Sequence, residues 1–119
     1  MSRLVLVIDD EESIRISLTG ALKDEGYRVM VAGSGKEGID AIRAERPDVI
    51  LLDIWMPGMD GLETLRQIKS EWPDLIVIMM SGHGTIETAV KAVRLGAQDF
   101  VEKPLSLEKT LLAVRNALR

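Results

Sequence analysis

Three acids, a hydroxyl and an amine stand at the ends of apolar runs in this chain. Asp9 and Asp10 follow Leu4-Val5-Leu6-Val7-Ile8, and Asp53 closes Val49-Ile50-Leu51-Leu52. Ser81 follows the run from Leu75 to Met80, and Lys103 follows Phe100-Val101-Glu102. If these runs are parallel strands of one sheet, the polar residues gather at one edge, where open α/β sheets carry their sites. Clustered carboxylates repel: two charges about 4 Å apart cost about 4 kcal/mol at an effective dielectric near 20. Lys103 offsets one of the three charges, and one divalent cation would neutralise the rest. Oxygen ligands in this number suit Mg²⁺, which takes one or two carboxylates together with waters and phosphate oxygens. A carboxylate that attacks phosphorus forms an acyl phosphate. Asp53 is the candidate nucleophile, with Mg²⁺ and Lys103 neutralising the phosphoryl oxygens in the transition state. The Ser81 hydroxyl has the chemistry to bond one of those oxygens.

Each residue has a plainer explanation when taken alone. Asp9-Asp10-Glu11-Glu12 suits a helix N-terminus, where acids cap the helix and complement its dipole. Asp53 could cap the turn before Pro57-Gly58, Ser81 could be a small turn residue before Gly82, and Lys103 could be a solvated surface lysine. Only their convergence on one sheet edge favours a site. Lys103-Pro104 also admits a cis peptide bond, the minority X-Pro state.

Other apparent signals carry less. Gly33-Ser34-Gly35-Lys36-Glu37-Gly38 matches G-x-G-x-x-G after a strand, and Asp53 lies 20 residues past Gly33, as a dinucleotide site would have it. The strand before it reads as an edge strand, however, and no residues remain for a substrate domain. No stretch fits a Walker loop. His83 is the only histidine and reads as a loop residue. Met79-Met80 reads as core, and Trp72 before Pro73 as packing at a helix end.

The positioning elements follow from periodicity. Strands are predicted over 3–8, 28–32, 48–53, 75–80 and 98–102. The first, third and fourth are continuous Val/Ile/Leu/Met runs, the mark of strands buried on both faces. The second and fifth are shorter and more polar, as edges should be. Between them Ile14, Leu18 and Leu22 mark one helix, and Ile39 and Ile42 a second. Leu62, Leu65 and Ile68 mark a third, Ile86, Ala89, Val90 and Val93 a fourth, and Leu107, Leu111, Val114 and Leu118 a fifth. Gly26, Pro47, Pro73 and Gly96 stand where helices should stop. Five βα units imply right-handed crossovers and a doubly wound α/β sheet between two helix layers. The flavodoxin-like order 2-1-3-4-5 is adopted partly because it makes Asp9, Asp10 and Asp53 neighbours.

Composition sets the outer bounds. A chain of 119 residues and 13.1 kDa is expected to be one domain over 1–119. Size scaling gives roughly 6,400 Å² of folded surface against roughly 19,000 Å² unfolded, enough burial for one core. The absence of Cys excludes disulfides and thiolate metal sites and fits a reducing compartment. A net charge of −4 with no Lys/Arg cluster argues against direct nucleic-acid binding. No apolar run is long enough to span a membrane.

The ordered segments VIDDEE at 7–12, LLDIWMPGMDG at 51–61, MSGHG at 80–84 and FVEKP at 100–104 carry a family resemblance. Over essentially its whole length the chain resembles the receiver domain of two-component response regulators. The resemblance implies that Asp53 takes a phosphoryl group from a sensor histidine kinase. It implies that Asp10 and Asp53 bind Mg²⁺ directly, Asp9 through water, and Trp55 by its main-chain carbonyl. Ser81 would be the switch hydroxyl, Phe100 the switch aromatic, Lys103 the lysine of the pattern, and Lys103-Pro104 a cis bond. The surface of the fourth helix, fifth strand and fifth helix would then change its contacts, with a homodimer as one outcome, and the protein would be cytoplasmic. SGHGTIETAVKAVRLGAQDFVEKPLSLEK further resembles receivers of sigma-54-dependent activators of the NtrC/NtrX type, in which an ATPase and a DNA-binding domain follow. On that basis the chain is expected to be the first part of a longer regulator.

Three competing readings belong to other classes. A haloacid dehalogenase-like phosphatase would place Asp-x-Asp after the first strand, and here the acids are adjacent. A flavodoxin-like FMN protein needs a hydroxyl- and Gly-rich loop where this chain has four acids. A degenerate receiver would keep the fold and bind partners without phosphorylation, against which the full acid set and Lys103 argue.

Overall fold

The computed structural model describes residues 2–119 except 57–59, 83–85 and 104–105, and of Ile86 the main chain. The expected turn at Pro57-Gly58, the loop residues His83 and Gly84, and the expected cis Lys103-Pro104 bond lie outside the described residues.

Strands and helices alternate: β1 (Leu4–Ile8), α1 (Glu12–Asp24), β2 (Arg28–Ala32), α2 (Gly35–Ala44), β3 (Val49–Asp53), α3 (Gly61–Glu71), β4 (Ile76–Ser81), α4 (Ile86–Arg94), β5 (Asp99–Glu102) and α5 (Leu107–Ala117). All strand pairings are parallel, and the sheet order is β2-β1-β3-β4-β5. This is the expected doubly wound order, with β2 and β5 at the edges. The main revision is at Ser81, which closes β4 instead of following it. Accessible surface is 6515 Å², close to the roughly 6,400 Å² that size scaling gives.

Strand alternation divides the core in two. Leu6, Ile8, Ile50, Leu52, Val77 and Met79 face α2 and α3, meeting Ile39, Ile42, Leu65 and Ile68. Val5, Val7, Val49, Leu51, Ile78 and Met80 face α1 and α5, meeting Leu18, Leu22, Ala113 and Val114. Successive side chains of a strand point to opposite faces, so unbroken apolar runs are what a sheet covered on both sides requires.

Helix ends follow local chemistry. Gly26 and Gly96 adopt left-handed φ of 90° and 105°, which glycine alone enters without strain. Asp60 and Ser106 cap α3 and α5 by accepting from the main-chain N–H of Glu63 and Lys109. The dinucleotide-like glycine motif proves to be helix punctuation. Ser34 caps α2 by accepting from Glu37 N–H, and the Glu37 carboxylate accepts from Gly33 N–H. A Cβ at Gly38 would fall 2.3 Å from Ile8 Cδ1, so that glycine lets α2 close onto β1.

Helix α4 departs from the usual amphipathic rule. Val90 and Val93, part of the stripe that marks the helix in sequence, are exposed, while Ala92 on another face is buried. The helix is where periodicity put it, but of its apolar stripe Val90 and Val93 face outward while Ala89 is half-buried.

Candidate functional site

Asp9 extends β1 by one backbone bond, its N–H donating to Ala32 O at 3.1 Å. Its side chain is fully buried. One carboxylate oxygen accepts from Glu11 N–H at 2.9 Å, and the other lies 2.7 Å from Lys103 Nζ. The four acids at 9–12 therefore do not act together as a helix cap: the N-cap position of α1 is Glu11, with no side-chain cap bond. β1 and β3 are adjacent, which brings Asp53 beside this loop. Asp9, Asp10 and Asp53 each present a carboxylate oxygen within 4.8 Å of the others.

Lys103 enters from the opposite side. Its main-chain N–H donates to Ser81 O at 2.8 Å, continuing the β4–β5 pairing past Glu102. Its ammonium reaches Asp9 at 2.7 Å, Asp53 at 3.3 Å and Glu11 at 3.5 Å. Burial opposes the lysine charge, but the hydrogen bond to Asp9 and the charges of Asp53 and Asp9 outweigh it and raise the pKa. Asp53 is 3% exposed. Burial, followed by the Asp9 charge, pushes its carboxyl up to about 6, against the opposing pull of Lys103 and a main-chain bond from Trp55. One amine does not neutralise the three acids, so burial and the neighbouring Asp9 charge together make the ionised form of Asp53 costly.

A cleft of about 200 Å³ opens over Asp53, lined by Asp10, Glu11, Asp53, Trp55, Gly82 and Lys103. Trp55 forms part of its wall and is 53% exposed. Ser81 is buried at the end of β4, beside the cleft rather than among its lining residues. Phe100 lies farther off. It is half-buried, paired in register with Met79, and lines a second cleft between β5 and α5 that shares Lys103. Strand alternation places Ser81 and Phe100 on the same face of the sheet.

The chain thus brings Asp9, Asp10, Asp53, Trp55 and Lys103 together, sets Ser81 at their border and leaves Phe100 outside. Two participants were missed in sequence. Glu11 joins the ion pairs of Lys103, and its only signal was adjacency to the Asp pair. Arg15 bonds the Asp9 carbonyl, and nothing in the sequence marked it.

Two buried carboxylates and one exposed carboxylate with converging oxygens fit a hard divalent cation held by oxygen ligands. No described helix is long and apolar enough to cross a membrane.

Known proteins share this arrangement of chain. The nitrogen assimilation regulatory protein NtrX of Azorhizobium caulinodans is 44% identical over 120 residues, covering 99% of this chain and 26% of that protein. The crystal structure of the receiver domain of NtrX from Brucella abortus superposes with a TM-score of 0.91 at 45% identity, covering 96% of this chain and 97% of that one. A CheY-like receiver domain protein from Methanospirillum hungatei superposes with a TM-score of 0.94 at 30% identity, covering 99% and 94%. The chain spans about a quarter of the length of the NtrX relatives it matches. The model of the response regulator receiver domain matches residues 5–115. Matched from β1 to the last turn of α5, this chain belongs to the response regulator receiver domain family and is related to NtrX.

Proposed function

We propose that Asp53 is the phosphoacceptor of a two-component phosphorelay and that its phosphorylation depends on Mg²⁺. The observation that carries this reading is the placement of Asp53. A nearly buried carboxylate lies at the floor of an open cleft, between two further carboxylates and a lysine. Asp10 and Asp53 would hold Mg²⁺ directly and Asp9 through water, with the Trp55 main-chain carbonyl as a further ligand. The ion supplies charge neutralisation at the phosphoryl oxygens.

In this mechanism an Asp53 carboxylate oxygen attacks the phosphorus of a phosphohistidine on a sensor kinase. The P–O bond forms as the P–N bond breaks, and the imidazole, already protonated on its other ring nitrogen, leaves as the neutral ring. Lys103 exchanges its contact with Asp53 for one with a phosphoryl oxygen, where its charge stabilises the transition state. Ser81 then donates its hydroxyl to the phosphoryl group, and Phe100 moves toward the space this leaves. The phosphoryl group selects the state it binds better, so α4, β5 and α5 shift their contacts. In the longer regulator that surface would control an ATPase and DNA-binding output in the cytoplasm, and it is the candidate contact of a homodimer.

Intact mass after incubation with a small phosphoryl donor and Mg²⁺ tests the reading. One phosphoryl adduct is expected on the wild type, and none on Asp53→Ala or in chelator. A wild type that takes no adduct from any donor would instead be a receiver that signals by binding alone.

A further inference from the structure

Arg15 is the fourth residue of α1, so it brings a cation to the end of a helix that disfavours positive charge. The side chain is half-buried, and its Nη1 donates to the main-chain carbonyl of Asp9 at 2.8 Å. That carbonyl belongs to the planar peptide joining Asp9 to Asp10. Holding it fixes the plane from which the Asp10 side chain departs. Asp9 has three further attachments, to Ala32, Glu11 and Lys103. Asp10 has none of this kind: its side chain is exposed, and among the described residues no hydrogen bond or ion pair fixes its carboxylate.

We infer that Arg15 is a positioning residue for the divalent-cation site, orienting Asp10 through the Asp9 carbonyl. The inference rests on the reading of the acid cluster as a Mg²⁺ site. Its charge acts in the opposite sense, because a cation beside the acids repels Mg²⁺. Removing Arg15 therefore has two effects of opposite sign, and two substitutions separate them. Arg15→Met loses both the donor and the charge. Arg15→Lys keeps the charge on a shorter stem without the guanidinium fork.

The test is a Mg²⁺ titration of the wild type and both variants, followed by amide-resolved NMR, with thermal stability in chelator measured on the same samples. Loss of a group that orients a metal ligand typically weakens affinity by about tenfold or more. Arg15→Lys should show that weakening in full and Arg15→Met a smaller one, offset by the lost repulsion, with Arg15→Lys retaining wild-type stability in chelator. Tighter binding by Arg15→Met with unchanged binding by Arg15→Lys would make Arg15 a mere charge and overturn the inference. Lower chelator stability with unchanged Mg²⁺ affinity would make it a structural tie and overturn it equally. If the wild type shows no Mg²⁺-dependent shifts at Asp10 and Asp53, the metal reading itself falls, an outcome recognisable without either variant.

Discussion

Asp53 is an acid held where ionisation is costly. Its carboxyl, pushed up from 3.8 to about 6 mainly by burial and then by Asp9, binds its proton more tightly folded than unfolded. The sign follows from linkage. Below about pH 4 the group is protonated in both states and has no effect. Between about 4 and 6 the unfolded chain ionises first and stability falls, and above about 6 the loss is complete. A shift of this size corresponds to about 2–3 kcal/mol. Metal-free Asp53→Asn should therefore be more stable than wild type near neutral pH by up to about that amount, with the gain vanishing toward pH 4. Urea unfolding in chelator at both pH values measures it, and a gain independent of pH would point to some other source. Trp55 supports a second prediction. Trp55 is 53% exposed and lines the same cleft as Asp53, so its ring is expected to hinder the water that hydrolyses an acyl phosphate. Trp55→Asn should lose the phosphoryl group severalfold faster, followed as decay of the adduct mass. An equal or slower decay would rule out shielding by the ring.

Elements position the site through close backbone contact. Gly61 opens α3, and its N–H donates to Ile54 O at 2.7 Å. A Cβ there would lie 2.1 Å from Asp53 O and 2.5 Å from Ile54 Cα, both main-chain atoms that cannot turn aside as a side chain would. Gly61→Ala must therefore push α3 away from the end of β3, and with it the peptide that carries Asp53. Overpacking of this kind costs about 1–3 kcal/mol. The expected result is a lower urea midpoint together with slower formation of the Asp53 adduct. Gly20→Ala is the contrast, since a Cβ there meets nothing within 4 Å. Helix α4 carries a different lesson. Its residues have helical spacing, yet Val90 and Val93 face outward. Periodicity identifies a helix and an apolar face, but what covers that face depends on the neighbours the fold supplies.

For the whole molecule, the proposed cation site would couple to stability. Asp9, Asp10 and Asp53 repel one another in the folded chain and separate when it unfolds, so an ion bound only by the folded state adds stability by mass action. At ten times the dissociation constant the gain is about 1.4 kcal/mol, a rise of about 5 °C in Tm for a domain of this size. Thermal scans with Mg²⁺ against chelator should show that rise in the wild type and lose it in Asp10→Asn. A rise of the same size in Asp10→Asn would mean that Mg²⁺ acts elsewhere on an anionic surface.

Much of this architecture was legible because burial on both faces leaves a mark in one dimension. Val5 to Ile8, Val49 to Leu52 and Val77 to Met80 can be unbroken apolar runs only where helices cover both sides of a sheet, and Gly26 and Gly96 announce helix ends through the left-handed backbone they permit. The acids, Ser81 and Lys103 could be placed at one edge because parallel strands end there. What remained undetermined in one dimension concerned directions and partners. Whether Val93 faces core or water depends on how α4 rolls against β4 and β5. Whether Glu11 meets Lys103 depends on two loops that are distant in sequence. Arg15 reaches the Asp9 carbonyl through a backbone acceptor that every residue carries, and which acceptor a long side chain finds is decided only when the loop and helix are packed.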